Sequence, residues 1–166
     1  MEIVRNVLSD KLYLLLLFEL ESKYKEDVWS SSTIIWNEDI KKSIFGSTLI
    51  TQVSKELNIQ ISEEIKKYLP EHDDLKCQFY IWQHNSGISS HNDGNYKFGA
   101  TIYLNEFWNL DDGGFFIWVD KDTEDLKVLS PQKNMMVVNS NNEEHLVTPV
   151  AANTKNLRHT IQIWGY

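Results

Sequence analysis

The sequence has a single cysteine, Cys77, so no disulfide can close within the chain, and no other Cys or neighbouring His gives it zinc-finger spacing. A reducing, cytoplasmic setting is the expectation that follows. Arginine is nearly as scarce: of 16 basic residues only Arg5 and Arg158 are arginines. Against 24 acidic residues this leaves a net charge of −8, a field that repels phosphate backbones, so a nucleic-acid partner is not expected. Long apolar runs are missing too. Leu12 to Phe18 is too short to span a bilayer. Glu19, Glu21 and Lys23 follow it at once and no small-residue cleavage site is present, so it reads as a poor signal peptide and a core-facing helix is expected. No membrane association is expected, and no internal repeat or low-complexity segment stands out.

What is present is a globular chain, 42% hydrophobic and 24% charged, of a length that fits one domain. Residues 1–75 read as mostly helical support. Ser9 and Asp10 open a first helix. Leu49, Val53, Leu57, Ile61, Ile65 and Leu69 recur every fourth residue and predict helix over 47–69, divided in two if Asn58 breaks it and stopped by Pro70. From residue 76 onward short β-type runs take over, at 77–82, 98–104, 115–119, 126–129, 135–138 and 160–164. Turn residues separate them: Asn85, Ser86 and Gly87; Asp93, Gly94 and Asn95; Asp111 to Gly114; Asn139 to Asn142. Short strands at this spacing predict a sandwich or barrel, so the fold class expected is mainly β, a jelly roll carrying two or three helices on its outside.

Within the β half, His91 and Asp93 form a His-x-Asp pair. In extended chain, residues i and i+2 point to one face, so an imidazole and a carboxylate would converge while Asn92 faces away. With five histidines and eleven aspartates in the chain, one such pair could arise by chance as a loop His and a turn Asp. His145, at the entrance to a late strand, supplies the third donor of a facial triad, or else is a surface histidine beside Glu143 and Glu144. Three protein ligands on one face of a metal leave the other face open, as non-haem iron(II) oxygen chemistry needs. Arg158 opens an alternating strand in which Arg158, Thr160, Gln162 and Trp164 share one face and His159, Ile161 and Ile163 the other. An arginine facing a barrel interior needs an anion, either a carboxylate ligand or an internal Asp or Glu.

The order of these pieces resembles the 2-oxoglutarate/Fe(II) oxygenase superfamily, and within it the prolyl 4-hydroxylase-like branch. The resemblance covers about residues 77–166. It runs through Tyr80, Ile81 and Trp82; His91 and Asp93; Tyr103, Leu104 and Asn105 with Trp108; Gly113 and Gly114; His145 with Val147 and Val150; and Arg158 with Trp164. It implies a double-stranded β-helix in which His91, Asp93 and His145 hold Fe(II). Arg158, Thr160 and Tyr103 would bind the distal carboxylate of 2-oxoglutarate, with Tyr80 or Trp82 lining the same co-substrate. The segment between His145 and Arg158 is longer than in the family, which makes Lys155 a rival anchor. Dioxygen as oxidant, ascorbate as reductant and release of succinate and CO2 come with the resemblance. So does hydroxylation of a C–H bond in a peptidyl (prolyl-like) residue or a free amino acid. A carboxylate at Asp93 argues for hydroxylation over halogenation, since halogenating members carry a small residue there.

Trp82, Trp108, Phe115, Phe116 and Trp118 are either a substrate platform or core. The acidic runs at 71–74 and 120–125 read as solvated loops. The rivals are a jelly-roll module that binds a sugar or metabolite without catalysis, and a zinc hydrolase using the same triad. Neither gives Arg158, Thr160 and Tyr103 a role. The oligomeric state is not legible in the sequence.

Overall fold

The computed structural model describes residues 1–36, 38–94 and 96–166, so Asn95 of the third turn signal lies outside the described residues. In chain order the elements are β1 (Glu2–Arg5), α1 (Asp10–Glu26), β2 (Ser30–Ser31), α2 (Ser32–Ile35), α3 (Glu38–Lys41), β3 (Ile44–Phe45), β4 (Thr48–Gln52), α4 (Lys55–Ile65), β5 (Leu75–Trp82) and β6 (Gly87–His91). There follow β7 (Phe98–Tyr103), β8 (Phe116–Val119), β9 (Leu126–Leu129), β10 (Met135–Asn139), β11 (His145–Val147) and β12 (Arg158–Gly165). The strands form two antiparallel sheets, a larger one in the order β1-β10-β7-β12-β5-β4-β2 and a smaller one in the order β3-β6-β11-β8-β9. This is the jelly-roll architecture expected, with helices outside.

Alternation along the strands of the larger sheet builds two separate interiors. Cys77, Phe79, Ile81, Ile161 and Ile163 face outward and pack under α1 and α4, which contribute Leu12, Leu16, Leu20, Leu57, Ile61 and Ile65. The intervening residues face the smaller sheet. Tyr80, Trp82, Tyr103 and Val137 there meet Ile88, Phe116, Trp118 and Val147. The helices are locked to one another by their caps. Ser9 caps α1 and donates through its hydroxyl and amide to Glu64 of α4. Ser54 caps α4 and donates through the same two groups to Glu19 of α1. Each glutamate thus occupies donors at the start of the other helix, where orphan N–H groups favour negative charge.

The helix expected over 47–69 forms only in part. Thr48–Gln52 is a strand, and helix begins after Ser54 and runs through Asn58 without a break. A spacing of four residues is about one helical turn but also two repeats of a strand, so Leu49 and Val53 satisfy both patterns. The β-branched Thr48, Ile50 and Thr51 and pairing with β5 decide for the strand. The first 75 residues also contribute β1, β2 and β3, none visible as periodicity in such short segments. Among the described residues no helix is long and apolar enough to cross a membrane.

Candidate active site

Between the two sheets lies a cavity of about 1190 Å³. One end holds His91, Asp93 and His145. Antiparallel pairing of β6 with β11 sets His91 directly opposite His145, and their rings lie 4.4 Å apart. Asp93 follows just beyond the end of β6, so the chain carries it round to the two rings rather than along a continuing strand. Its amide donates to Asn142 Oδ1 at 2.8 Å, fixing that turn. Donor atoms of the three residues lie within 4.8 Å of one another. Ligands at about 2.1 Å from one ion stand up to about 4.2 Å apart, so small side-chain adjustments close the set on a metal.

Two imidazoles and one carboxylate suit a divalent first-row ion such as iron(II). The surroundings prepare them for it. His91 Nδ1 lies 2.9 Å from the Ser89 carbonyl and His145 Nδ1 2.9 Å from the Glu143 carbonyl. A carbonyl only accepts, so each Nδ1 carries the proton and each Nε2 keeps its lone pair for a metal. Burial lowers the pKa of both rings, and for His91 the neighbouring His145 adds to it. Burial also pushes the Asp93 carboxyl up to about 6, opposed by His91 and by a hydrogen bond from Asn139. Asn139 Nδ2 reaches Asp93 Oδ2 at 3.3 Å and the Glu143 carbonyl at 3.0 Å, so one amide spans two of the donors' supports. Gly99, opposite Asn139 on β7, leaves the space that Asp93 fills; a Cβ there would collide with Asp93 Oδ2.

The other end holds Arg158, 1% exposed, with no ion pair to a carboxylate among the described residues. Its Cζ lies 4.9 Å from the Trp82 ring centre and 5.2 Å from that of Tyr103, so two aromatic faces flank the guanidinium. Yet Arg158 Nε and Nη1 and the Tyr103 hydroxyl, which lie near one another, meet no partner with good hydrogen-bond geometry. Three buried polar atoms left so at one place are rare in folded chains, and as donors they fit an anionic group. Burial lowers the Arg158 pKa and raises that of Tyr103, the two groups partly offsetting each other's shift. Thr160 pairs across strands with both Tyr80 and Tyr103 and accepts from Trp82 Nε1 at 3.3 Å, which leaves its own O–H free to donate. These donors fit a carboxylate, and the triad fits a metal. Tyr80 and Trp82 both line the cavity, with Trp82 the nearer to Arg158, whereas Lys155 is exposed on the loop.

Of the aromatic residues, Trp82 and Phe116 line the cavity, and Phe116 stacks 4.8 Å from His145. Trp118 is core behind them, and Trp108 donates to the Gly113 carbonyl near Arg158. The acidic runs carry exposed carboxylates. Sequence reasoning missed Asn139, Asn142 and Gly99, and the wall supplied by Trp36 and Ile40. The asparagines lie in a stretch read only as a turn. Gly99 breaks an otherwise apolar strand, a signal of close approach that could have been followed.

The family model described as the 2OG-Fe(II) oxygenase superfamily matches residues 59–166, and the chain belongs to that superfamily. It is therefore a 2-oxoglutarate-dependent Fe(II) dioxygenase, with iron and 2-oxoglutarate as its cofactors. No curated protein matches the chain closely enough to report. Among solved structures, a prolyl 4-hydroxylase from Pseudomonas putida is 20% identical, with 99% of this chain and 91% of that chain covered at a TM-score of 0.76. A prolyl hydroxylase from Trichoplax adhaerens, in complex with a hypoxia inducible factor oxygen degradation domain peptide fragment, is 18% identical. Coverage there is 99% and 82%, with a TM-score of 0.78. HygX from Streptomyces hygroscopicus, with nickel, 2-oxoglutarate and hygromycin B bound, is 11% identical over 98% and 81% at a TM-score of 0.66. These likenesses show a shared double-stranded β-helix fold.

Proposed function

We propose that this oxygenase hydroxylates a C–H bond of a peptidyl residue, prolyl-like, or of a free amino acid. His91, Asp93 and His145 hold the iron, and Arg158, Thr160 and Tyr103 hold the distal carboxylate of 2-oxoglutarate. The observation that carries this reading is one cavity with a metal-ready triad at one end and unpartnered buried donors at the other. When bound, iron and 2-oxoglutarate together supply the oxidation, in which dioxygen is consumed, succinate and CO2 are released and a substrate C–H becomes C–OH. The chain's own part is placement. Asn139 and the two backbone carbonyls orient the triad. Arg158 and its aromatic flanks fix the co-substrate's far end, and Tyr80 or Trp82 lines its length. The carboxylate at Asp93 fills the position a halide would need. The likeness to prolyl hydroxylases supports a peptide substrate, and that to HygX keeps a small molecule in play. Residues 1–75 act as support for this core within one domain, and the single buried Cys77 fits a cytoplasmic setting.

Anaerobic addition of Fe(II) and 2-oxoglutarate tests the site. The weak visible charge-transfer band of the chelate is expected in the wild type and absent in His91→Ala and Asp93→Ala. A wild type with neither band nor 2-oxoglutarate affinity would sink the proposal.

A further inference from the structure

We propose that the cavity selects a substrate bearing a carboxylate, and that Lys76 is the residue that binds it. This rests on the function proposed above and names the substrate class of that site. Lys76 is half-buried and lines the cavity, and it has no ion pair or hydrogen bond from its side chain among the described residues. Asp74, the nearest carboxylate in sequence, accepts from the Leu75 amide instead. Register fixes where Lys76 stands relative to the metal. It pairs with Trp164, Trp164 pairs with Gly99, and Gly99 pairs with Asn139, all on one row across four strands. Asp93 lies over Gly99, next to the Asn139 end of that row. Strands repeat at about 4.8 Å, so the Lys76 backbone stands about 10 Å from the metal-binding carboxylate, with Trp164 between them. The ammonium is mobile enough on its four-carbon stem to meet a group on a molecule whose other part sits at the triad.

Charge balance makes the assignment specific. Among the described residues that line the cavity, the ionic side chains are Arg158, Lys76 and Asp93, with both histidines held neutral. Once iron and 2-oxoglutarate are in place, Arg158 and the divalent ion are balanced in full by Asp93 and the dicarboxylate. Of these side chains, Lys76 alone is left without a counter-charge. The adjoining row, Gln52, Gln78, Gln162 and Thr101, pairs in register across the same sheet. It offers amides and a hydroxyl, which can hydrogen-bond a peptide-like group but cannot neutralise a charge. A substrate with one carboxylate beyond its reacting carbon completes the cavity; a cationic one does not.

The test uses the full chain loaded with Zn(II) in place of iron and with 2-oxoglutarate, followed by saturation-transfer NMR. One arm compares acetyl-Pro-Ala-Glu-amide with its Gln and Lys counterparts, reading a side-chain carboxylate. The other compares free L-proline with L-prolinamide, reading an α-carboxylate. In at least one arm the carboxylate-bearing probe should bind about five-fold tighter, the size of a partly exposed ion pair. Lys76→Gln should abolish the preference, and Lys76→Glu should turn it toward the Lys peptide. Absence of discrimination in both arms, absence of binding by every probe, or a preference that survives in Lys76→Glu overturns the assignment. Calorimetry of Zn(II) and 2-oxoglutarate on the same samples separates the two readings. If the co-substrate binds and charge is not discriminated, Lys76 alone is wrong. If the co-substrate does not bind, the proposed function falls with it.

Discussion

The two faces of the larger sheet are built from the same strands and differ in almost everything else. The face under α1 and α4 is apolar and closed. The face toward the smaller sheet alternates with it residue by residue, yet carries Arg158, Thr160, Gln78, Gln162, Tyr80 and Trp82. Its Arg158 and Tyr103 donors lack well-aligned partners, and the cavity it walls receives from the smaller sheet the Asp93 carboxyl, which resists ionising. One face holds the chain folded. The other spends some of that stability on groups that are satisfied only when ligands bind.

If that division is right, the largest effects come from the closed face. Phe79→Ala should lower the unfolding free energy by about 3–5 kcal/mol, measured by denaturant titration, while iron affinity at low temperature stays near that of the wild type. A comparable loss of both would break the division. On the cavity face, Arg158→Met should weaken 2-oxoglutarate binding by about 2–5 kcal/mol in calorimetry and leave iron affinity alone. The melting temperature of the ligand-free protein should hold or rise, because an unpaired buried charge has gone. If iron and co-substrate weaken together, Arg158 is structural.

Smaller effects sharpen the metal end. Gly99→Ala crowds Asp93 Oδ2, and Asn139→Ala removes the amide that orients it. Each should cost about 10- to 100-fold in iron affinity by metal titration, with the backbone circular dichroism unchanged. An Asn139→Ala protein with wild-type affinity would show that Asn139 only shapes the turn. The smallest effect is one of pH. The Asp93 carboxyl is raised from 3.8 to about 6, so the metal-free fold favours its protonated form, and that contribution to stability is lost as pH rises from about 4 through 6. Asp93→Asn should therefore stabilise the metal-free protein at pH 7.5 in denaturant titration, a gain that disappears near pH 4. For the same reason iron affinity in the wild type should fall as pH drops below about 6, where a proton competes for the carboxylate.

The His91 and Asp93 pair and the inward-facing Arg158 could be read from the chain because their evidence is local, whereas His145 joins them only through strand pairing. Donor types at i and i+2, and a lone arginine on an alternating strand, need no knowledge of partners. The helix boundary at Ser54 could not be read, since a four-residue spacing fits both periods and only pairing of β4 with β5 separates them. Nor could Asn139, whose sequence context says turn and whose role depends on Asp93, 46 residues away. Nor could the burial of Arg158 and the exposure of Lys155, which favour the former as the proposed anchor.

By itself the sequence determined which face each residue of a strand takes, most visibly in the alternation of β12, and the chemistry on offer, through the identity of His91, Asp93, His145 and Arg158. The tertiary structure decided which of those groups meet. Opposite strands bring His91 to His145, Gly99 makes room for Asp93, and the row from Lys76 through Trp164 to Asn139 exists only in one register. The reason is geometric. A strand's own sequence fixes which face each side chain takes, but a slip of one residue between strands would change every neighbour across it, and only the packed sheets hold that register.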